Sequence, residues 1–122
     1  MVRILAWNVR GAMSSTLCLS SLLDKTDCDV AIISEHKLKN QNIGKMYLDS
    51  IHKDYLSILK IDVNESYSEQ KVCLMHIGKG GVAFLIKKSL VYTVKEIHID
   101  SNRIFGIELI SNNERMYIFS VY

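Results

Sequence analysis

The 122-residue sequence contains no proline. No residue is therefore locked at the proline φ, and turns must be built from glycine, asparagine, aspartate and serine. Cysteine is scarce. Cys18, Cys28 and Cys73 form no CxxC and make an odd count, which suits a reducing compartment and small buried thiols better than a disulfide framework. A charge excess of either sign is also missing. Fifteen basic and thirteen acidic residues leave a net charge of +2, which neither demands nor excludes nucleic acid, because a local patch matters more than a sum. No apolar run approaches the ~18 residues that a membrane-spanning helix needs. The apolar start breaks off at Asn8 and Arg10, unlike a secretory signal peptide. These absences point to a cytoplasmic or nuclear protein with no membrane and no disulfide partner, and they leave the oligomeric state open. Apolar content of 48% against 23% charged fits a folded globular chain, long enough for one domain or part of one.

Ile4-Leu5-Ala6-Trp7 runs into Asn8-Val9-Arg10-Gly11, the pattern of a strand leaving a sheet and delivering polar groups to its rim. Asp29-Val30-Ala31-Ile32-Ile33-Ser34-Glu35 is a second such run and ends on a carboxylate. Between them, Ser14-Ser15-Thr16 offers helix caps, Leu19, Leu22 and Leu23 share a helical face, and Asp24 to Asp27 closes the helix. A strand–helix–strand unit makes the two strands parallel, with a right-handed crossover. Asn8 and Glu35 then emerge side by side at the carboxyl ends of neighbouring strands, where open α/β sheets place their ligands.

Farther on, Lys37 to Gly44 is polar, and Met46-Tyr47-Leu48 with Ile51 predicts a short helix. Tyr55 to Ile61 alternates as a strand, and Asp62 to Gly80 carries little pattern, ending in Gly78-Lys79-Gly80-Gly81. That glycine cluster reads as a turn, since it lacks the phosphate-loop spacing and a following helix. Val82 to Ile86 is a fully apolar strand, followed by strand candidates at Val91 to Ile99, Ile104 to Ile110 and Met116 to Tyr122. Turn residues at Ser89, Asp100-Ser101-Asn102 and Ser111-Asn112-Asn113 predict an antiparallel meander.

A carboxylate at a strand end is a hard oxygen ligand suited to Mg²⁺, which binds through one or two carboxylates and keeps several waters. An amide beside it can hold a metal-bound water or a phosphate oxygen without adding charge. Glu35 and Asn8 form the leading candidate pair. His98 and Asp100 fall on one strand face but read as an exposed strand end, and His52 and His76 read as surface residues. His36, next to Glu35, is placed to touch a substrate. Lys37, Lys39, Lys79, Lys87 and Lys88 are solvated charges that could meet backbone phosphates.

The segments Trp7-Asn8-Val9-Arg10-Gly11 and Asp29 to Leu38 resemble the opening of the endonuclease/exonuclease/phosphatase superfamily, nearest to the endonuclease domains of LINE-type (non-LTR) retrotransposons. Gly80-Gly81-Val82-Ala83-Phe84-Leu85-Ile86-Lys87-Lys88 resembles the family's glycine-led central strand. Arg103-Ile104 and Tyr117-Ile118-Phe119-Ser120-Val121-Tyr122 resemble the strands after it.

The resemblance implies an α/β fold, the N-terminal half of a four-layer α/β/β/α sandwich with mixed, mainly antiparallel sheets. Residues 1–122 would form a partial domain. It implies that Glu35 and Asn8 bind Mg²⁺ (Mn²⁺ as a substitute) and that Asn8, Glu35 and Tyr122 are catalytic, with Tyr122 beside the scissile phosphate. DNA is the implied partner of the complete enzyme. Ser34-Glu35-His36 stands where Gln-Glu-Thr is usual, so the carboxylate is kept while its flanks differ. The family's later Asp-x-Asn and Ser-Asp-His motifs fall after the position that Tyr122 matches, so the 122 residues do not include them. The expected activity is thus a Mg²⁺-dependent phosphodiesterase fragment, a retrotransposon-type DNA endonuclease inactive alone. The alternatives are a phosphoesterase of the inositol-phosphate or sphingomyelin branches, and a non-catalytic remnant or interaction module. Half a sandwich is expected to contain one sheet with edge material of the other, leaving Val82 to Ile86 and Ile104 to Ile110 exposed.

Overall fold

A computed structural model describes residues 1–62, 80–101 and 103–121. The elements in chain order are β1 (Ile4–Asn8), α1 (Thr16–Thr26), β2 (Val30–Ser34), α2 (Gln41–Asp49), β3 (Tyr55–Lys60), β4 (Val82–Lys87), β5 (Thr93–Ile97), β6 (Ile104–Ile110) and β7 (Arg115–Val121). They form a four-stranded sheet in the order β1-β2-β4-β3 and a three-stranded sheet in the order β5-β6-β7. The β1–β2 pair is parallel and every other pair is antiparallel. The fold is therefore α/β with one mixed and one antiparallel sheet, as the strand and turn chemistry predicts.

Period-two alternation sorts the side chains of the first sheet into two cores. Ala31 and Ile33 of β2, Ala83 and Leu85 of β4 and Leu59 of β3 pack under Leu19 and Leu23 of α1 and Leu48 of α2. Val30, Val82, Phe84 and Ile86 point the other way, against Phe105, Ile107 and Leu109 of β6 and Ile118 of β7. At the centre of that second core the Phe84 and Phe105 rings lie 5.3 Å apart and tilted. Both faces of β2 and β4 are covered, which is why neither strand carries polar alternation.

This corrects the expectation of exposed apolar strands. The second sheet holds three full strands and buries Val82, Phe84 and Ile86 together with the inward half of β6, while the helices bury Ala83 and Leu85. The open apolar surface lies elsewhere. Tyr117, Phe119 and Val121 stand on the outer face of β7 at 55%, 48% and 69% exposure. Ile4 and Ala6 are exposed on the face of β1 that β2 uses for the inter-sheet core.

Local chemistry explains the element ends. Asp27 closes α1 in a left-handed conformation and donates its N–H to the Leu23 carbonyl at 3.0 Å. The Asn40 side chain accepts the Ile43 N–H at 2.9 Å and starts α2 at Gln41, inside the polar stretch Lys37 to Gly44. Ser15 precedes α1, but its hydroxyl donates to the Val9 carbonyl at 2.9 Å instead of capping the helix. Asp49 at the end of α2 accepts the Ser57 N–H at 2.6 Å and the Ser57 hydroxyl at 2.7 Å, fastening α2 to the edge strand β3. His52 is not a free surface residue. It lies edge-on to Tyr55 with ring centroids 5.0 Å apart and meets Asp24 at 2.6 Å, joining α1 to the start of β3. Cys18 is exposed and Cys28 buried, both as free thiols. Cys73, His76 and the Gly78-Lys79 half of the glycine turn lie outside the described residues. No helix among the described residues is long and apolar enough to cross a membrane.

Candidate active site

The parallel register of β1 and β2 sets Asn8 opposite Ser34, with Glu35 as the next residue. The pairing then continues past both strands. Val9 N–H donates to the Ser34 carbonyl at 3.0 Å, Gly11 N–H to the Glu35 carbonyl at 2.8 Å, and Ala12 N–H to the His36 carbonyl at 3.0 Å. Asn8 and Glu35 are thereby brought to one rim, as the sequence pattern predicts. Asn8 is exposed and Glu35 half-buried.

The backbone at this rim is unusual. Four non-glycine residues among those described have positive φ, and three of them are here: Arg10 at 48°, Glu35 at 55° and Lys37 at 58°. Such conformations are disfavoured and persist only where surrounding contacts hold them. The contacts are visible. Asn8 Oδ1 accepts the Arg10 N–H at 3.2 Å, an Asx turn that bends the chain away from β1. On the other side, Lys37 N–H donates to the Gly80 carbonyl at 2.8 Å and His36 N–H to the Gly81 carbonyl at 3.4 Å, tying the Glu35 loop to the entry of β4.

His36 corrects the expectation of a substrate-facing residue: it is 1% exposed. Its Nδ1 accepts the Leu38 N–H at 2.9 Å, which leaves the proton on Nε2. Nε2 donates to the Lys60 carbonyl at 3.0 Å. Burial, partly offset by the backbone acceptors of Lys60 and Val82, holds the ring below its usual pKa and therefore neutral. The ring lies directly over Gly81, whose φ is +91°; a Cβ there would stand 2.2 Å from His36 Cε1. Lys60 in turn sends its ammonium to the carbonyls of Ile99 (2.9 Å), Ser101 and Ile104 (3.3 Å), across to the second sheet.

The other sequence candidates are not brought to this rim. Tyr122 lies outside the described residues. His98 and Asp100 are exposed between β5 and β6, as a strand end should be. Lys87 is paired with Asp27 at the opposite end of β4. Among the described residues no three His, Cys, Asp or Glu side chains converge. What the rim offers a metal is a single hard carboxylate beside an amide whose oxygen has a second lone pair. That donor set fits Mg²⁺ as part of a site, since Mg²⁺ takes few carboxylates and retains water.

No protein-family model matches the sequence, and no curated protein sequence matches it either. Solved structures do. An AP endonuclease from Leishmania major, LMAP, superposes with a TM-score of 0.69 at 15% identity, over 99% of this chain and 40% of that one. An AP endonuclease from Archaeoglobus fulgidus gives a TM-score of 0.62 at 17% identity, over 100% of this chain and 41% of that one. The 3′ phosphatase NExo from Neisseria, solved with a product DNA hairpin, gives 0.58 at 16% identity, over 96% of this chain and 40% of that one. The chain thus shares the α/β fold of these two AP endonucleases and of the 3′ phosphatase NExo. It spans about 40% of the length of these structures.

Proposed function

We propose that the chain is part of a Mg²⁺-dependent phosphodiesterase, a DNA endonuclease of the kind used by LINE-type retrotransposons, and that residues 1–122 do not cleave DNA alone. The observation that carries this reading is the meeting of Asn8 and Glu35 at one strained rim of the mixed sheet. In this reading Glu35 binds the ion, with Mn²⁺ as a substitute. Asn8 orients a metal-bound water or a phosphate oxygen, and Tyr122 stands beside the scissile phosphate. When bound, the metal would offset charge on the phosphoryl oxygens as water attacks. Arg10 and Lys37, next to the pair, would meet backbone phosphates. The Trp-Asn-Val-Arg-Gly wording at 7–11 and the DNA-bound NExo structure favour DNA over inositol phosphates or sphingomyelin as substrate. A cytoplasmic or nuclear location accords with such a substrate.

The test is plasmid nicking in Mg²⁺ by the 122-residue chain and by a chain lengthened with the codons that follow Tyr122 in its gene. The short chain should leave supercoiled DNA intact. The longer one should nick it, and Glu35→Ala should abolish the nicking. If the lengthened chain is inert on DNA but hydrolyses soluble phosphoesters, the endonuclease assignment is wrong. If the gene stops at Tyr122 and the chain binds no Mg²⁺, the non-catalytic reading replaces it.

A further inference from the structure

The Glu35 loop holds two residues, Glu35 and Lys37, at positive φ on either side of His36. The residue between them, His36, is 1% exposed. Its ring touches three separate segments. It bonds the backbone of its own loop through Leu38, the end of β3 through the Lys60 carbonyl, and it fills the space that the missing side chain of Gly81 leaves at the start of β4. Any side chain at Gly81 would occupy the ring's place, so the glycine and the histidine form one fitted pair. A planar group with an acceptor on one edge and a donor on the other satisfies both backbone groups at once. A threonine or leucine could satisfy only one or neither.

We propose that His36 is a positioning residue, a strut that fixes the backbone turn at Glu35 so that the carboxylate is presented at the rim beside Asn8. The proposal rests on the metal-site reading given above. The strut extends through Lys60, whose ammonium holds the carbonyls of Ile99, Ser101 and Ile104. The carboxylate's orientation is thus referred to both sheets instead of to one loop. Groups that orient a metal ligand without touching the metal alter its affinity when removed.

Titration of Mn²⁺ alone into the ¹⁵N-labelled chain tests this, read as paramagnetic broadening of the amides of Asn8, Arg10 and Glu35 and as a dissociation constant. Glu35→Gln controls for the underlying reading and should abolish the broadening at these amides. His36→Leu occupies the ring's space and drops both polar contacts. It should weaken Mn²⁺ binding about tenfold or more while the amides of β6 and β7 keep their wild-type positions. Should His36→Leu not fold, His36→Asn, which retains an acceptor near the place of Nδ1, carries the comparison and should also bind more weakly than wild type. A folded His36→Leu chain, or failing that a His36→Asn chain, that binds Mn²⁺ like wild type while Glu35→Gln has lost it overturns the strut and leaves the metal site standing. Wild-type binding by Glu35→Gln overturns the metal reading, and the strut with it.

Discussion

Asn8 lies opposite Ser34 in the parallel ladder, and the Gly11 N–H reaches past it to the Glu35 carbonyl at 2.8 Å. These two contacts place an amide and a carboxylate on one sheet rim without any residue spanning them. The rim is therefore only as well defined as the backbone around it, and the sharpest predictions concern that backbone.

Gly81→Ala should be more damaging than its small volume suggests. The new methyl would stand 2.2 Å from the His36 ring, on a backbone with φ of +91°. Left-handed strain and displacement of a buried ring together should cost about 2–4 kcal/mol. Urea denaturation measures it, and a midpoint within error of wild type would refute the fitted pair.

Asp49 carries the next prediction. Burial pushes its carboxyl pKa up, but bonds from the Ser57 hydroxyl and N–H and from Lys45 outweigh that and hold it below the usual value. The unfolded chain therefore takes up this proton first as pH falls. The stability Asp49 contributes is full above the ordinary carboxylate pKa and is lost as pH drops through the lower folded-state value. Asp49→Ala should cost about 1–3 kcal/mol at neutral pH, from the unpaired Ser57 groups. The gap between variant and wild type should narrow below about pH 4, as thermal melts across pH would record.

Phe84→Ala should remove about 3–5 kcal/mol, because Phe84 is fully buried at the centre of the inter-sheet core against Phe105. Chemical denaturation followed by circular dichroism gives the value. A loss under about 1 kcal/mol would mean that the two sheets do not pack as described.

The outer face of β7 leaves Tyr117, Phe119 and Val121 open to water. Sedimentation should show association that grows with concentration. Val121→Lys should reduce it without lowering the melting temperature, since Val121 is exposed.

Much of this structure could be read from residue order. Continuous apolar runs at 30–33 and 82–86 predict strands, and the runs that end on Asn8 and Glu35 predict the parallel pair and its rim. Ile104–Ile110 appears with the predicted bounds. The rest depends on contacts distant in sequence. Insertion of β4 between β2 and β3 is a choice of partner that alternation cannot express. The covering of β4 by β6 follows from that choice, which is why exposure was expected where a core exists. His36 looks polar and loop-borne in the sequence. Its burial depends on Lys60, 24 residues away, and on a bare Gly81. Gly80-Gly81 signals a turn but not what fills the vacated space. The early start of α2 did have a signal, Asn40, which the surrounding polarity masked.

The most direct measurement is thermal unfolding of the wild-type chain and of Glu35→Gln with and without 10 mM Mg²⁺. Binding to the folded state alone at a dissociation constant of about 1 mM adds about 1.4 kcal/mol at that concentration, or roughly 3–6 °C for a chain of this size. The account predicts a rise of that order in wild type and none in Glu35→Gln. No rise in wild type, or an equal rise in both, would contradict a metal site at Glu35.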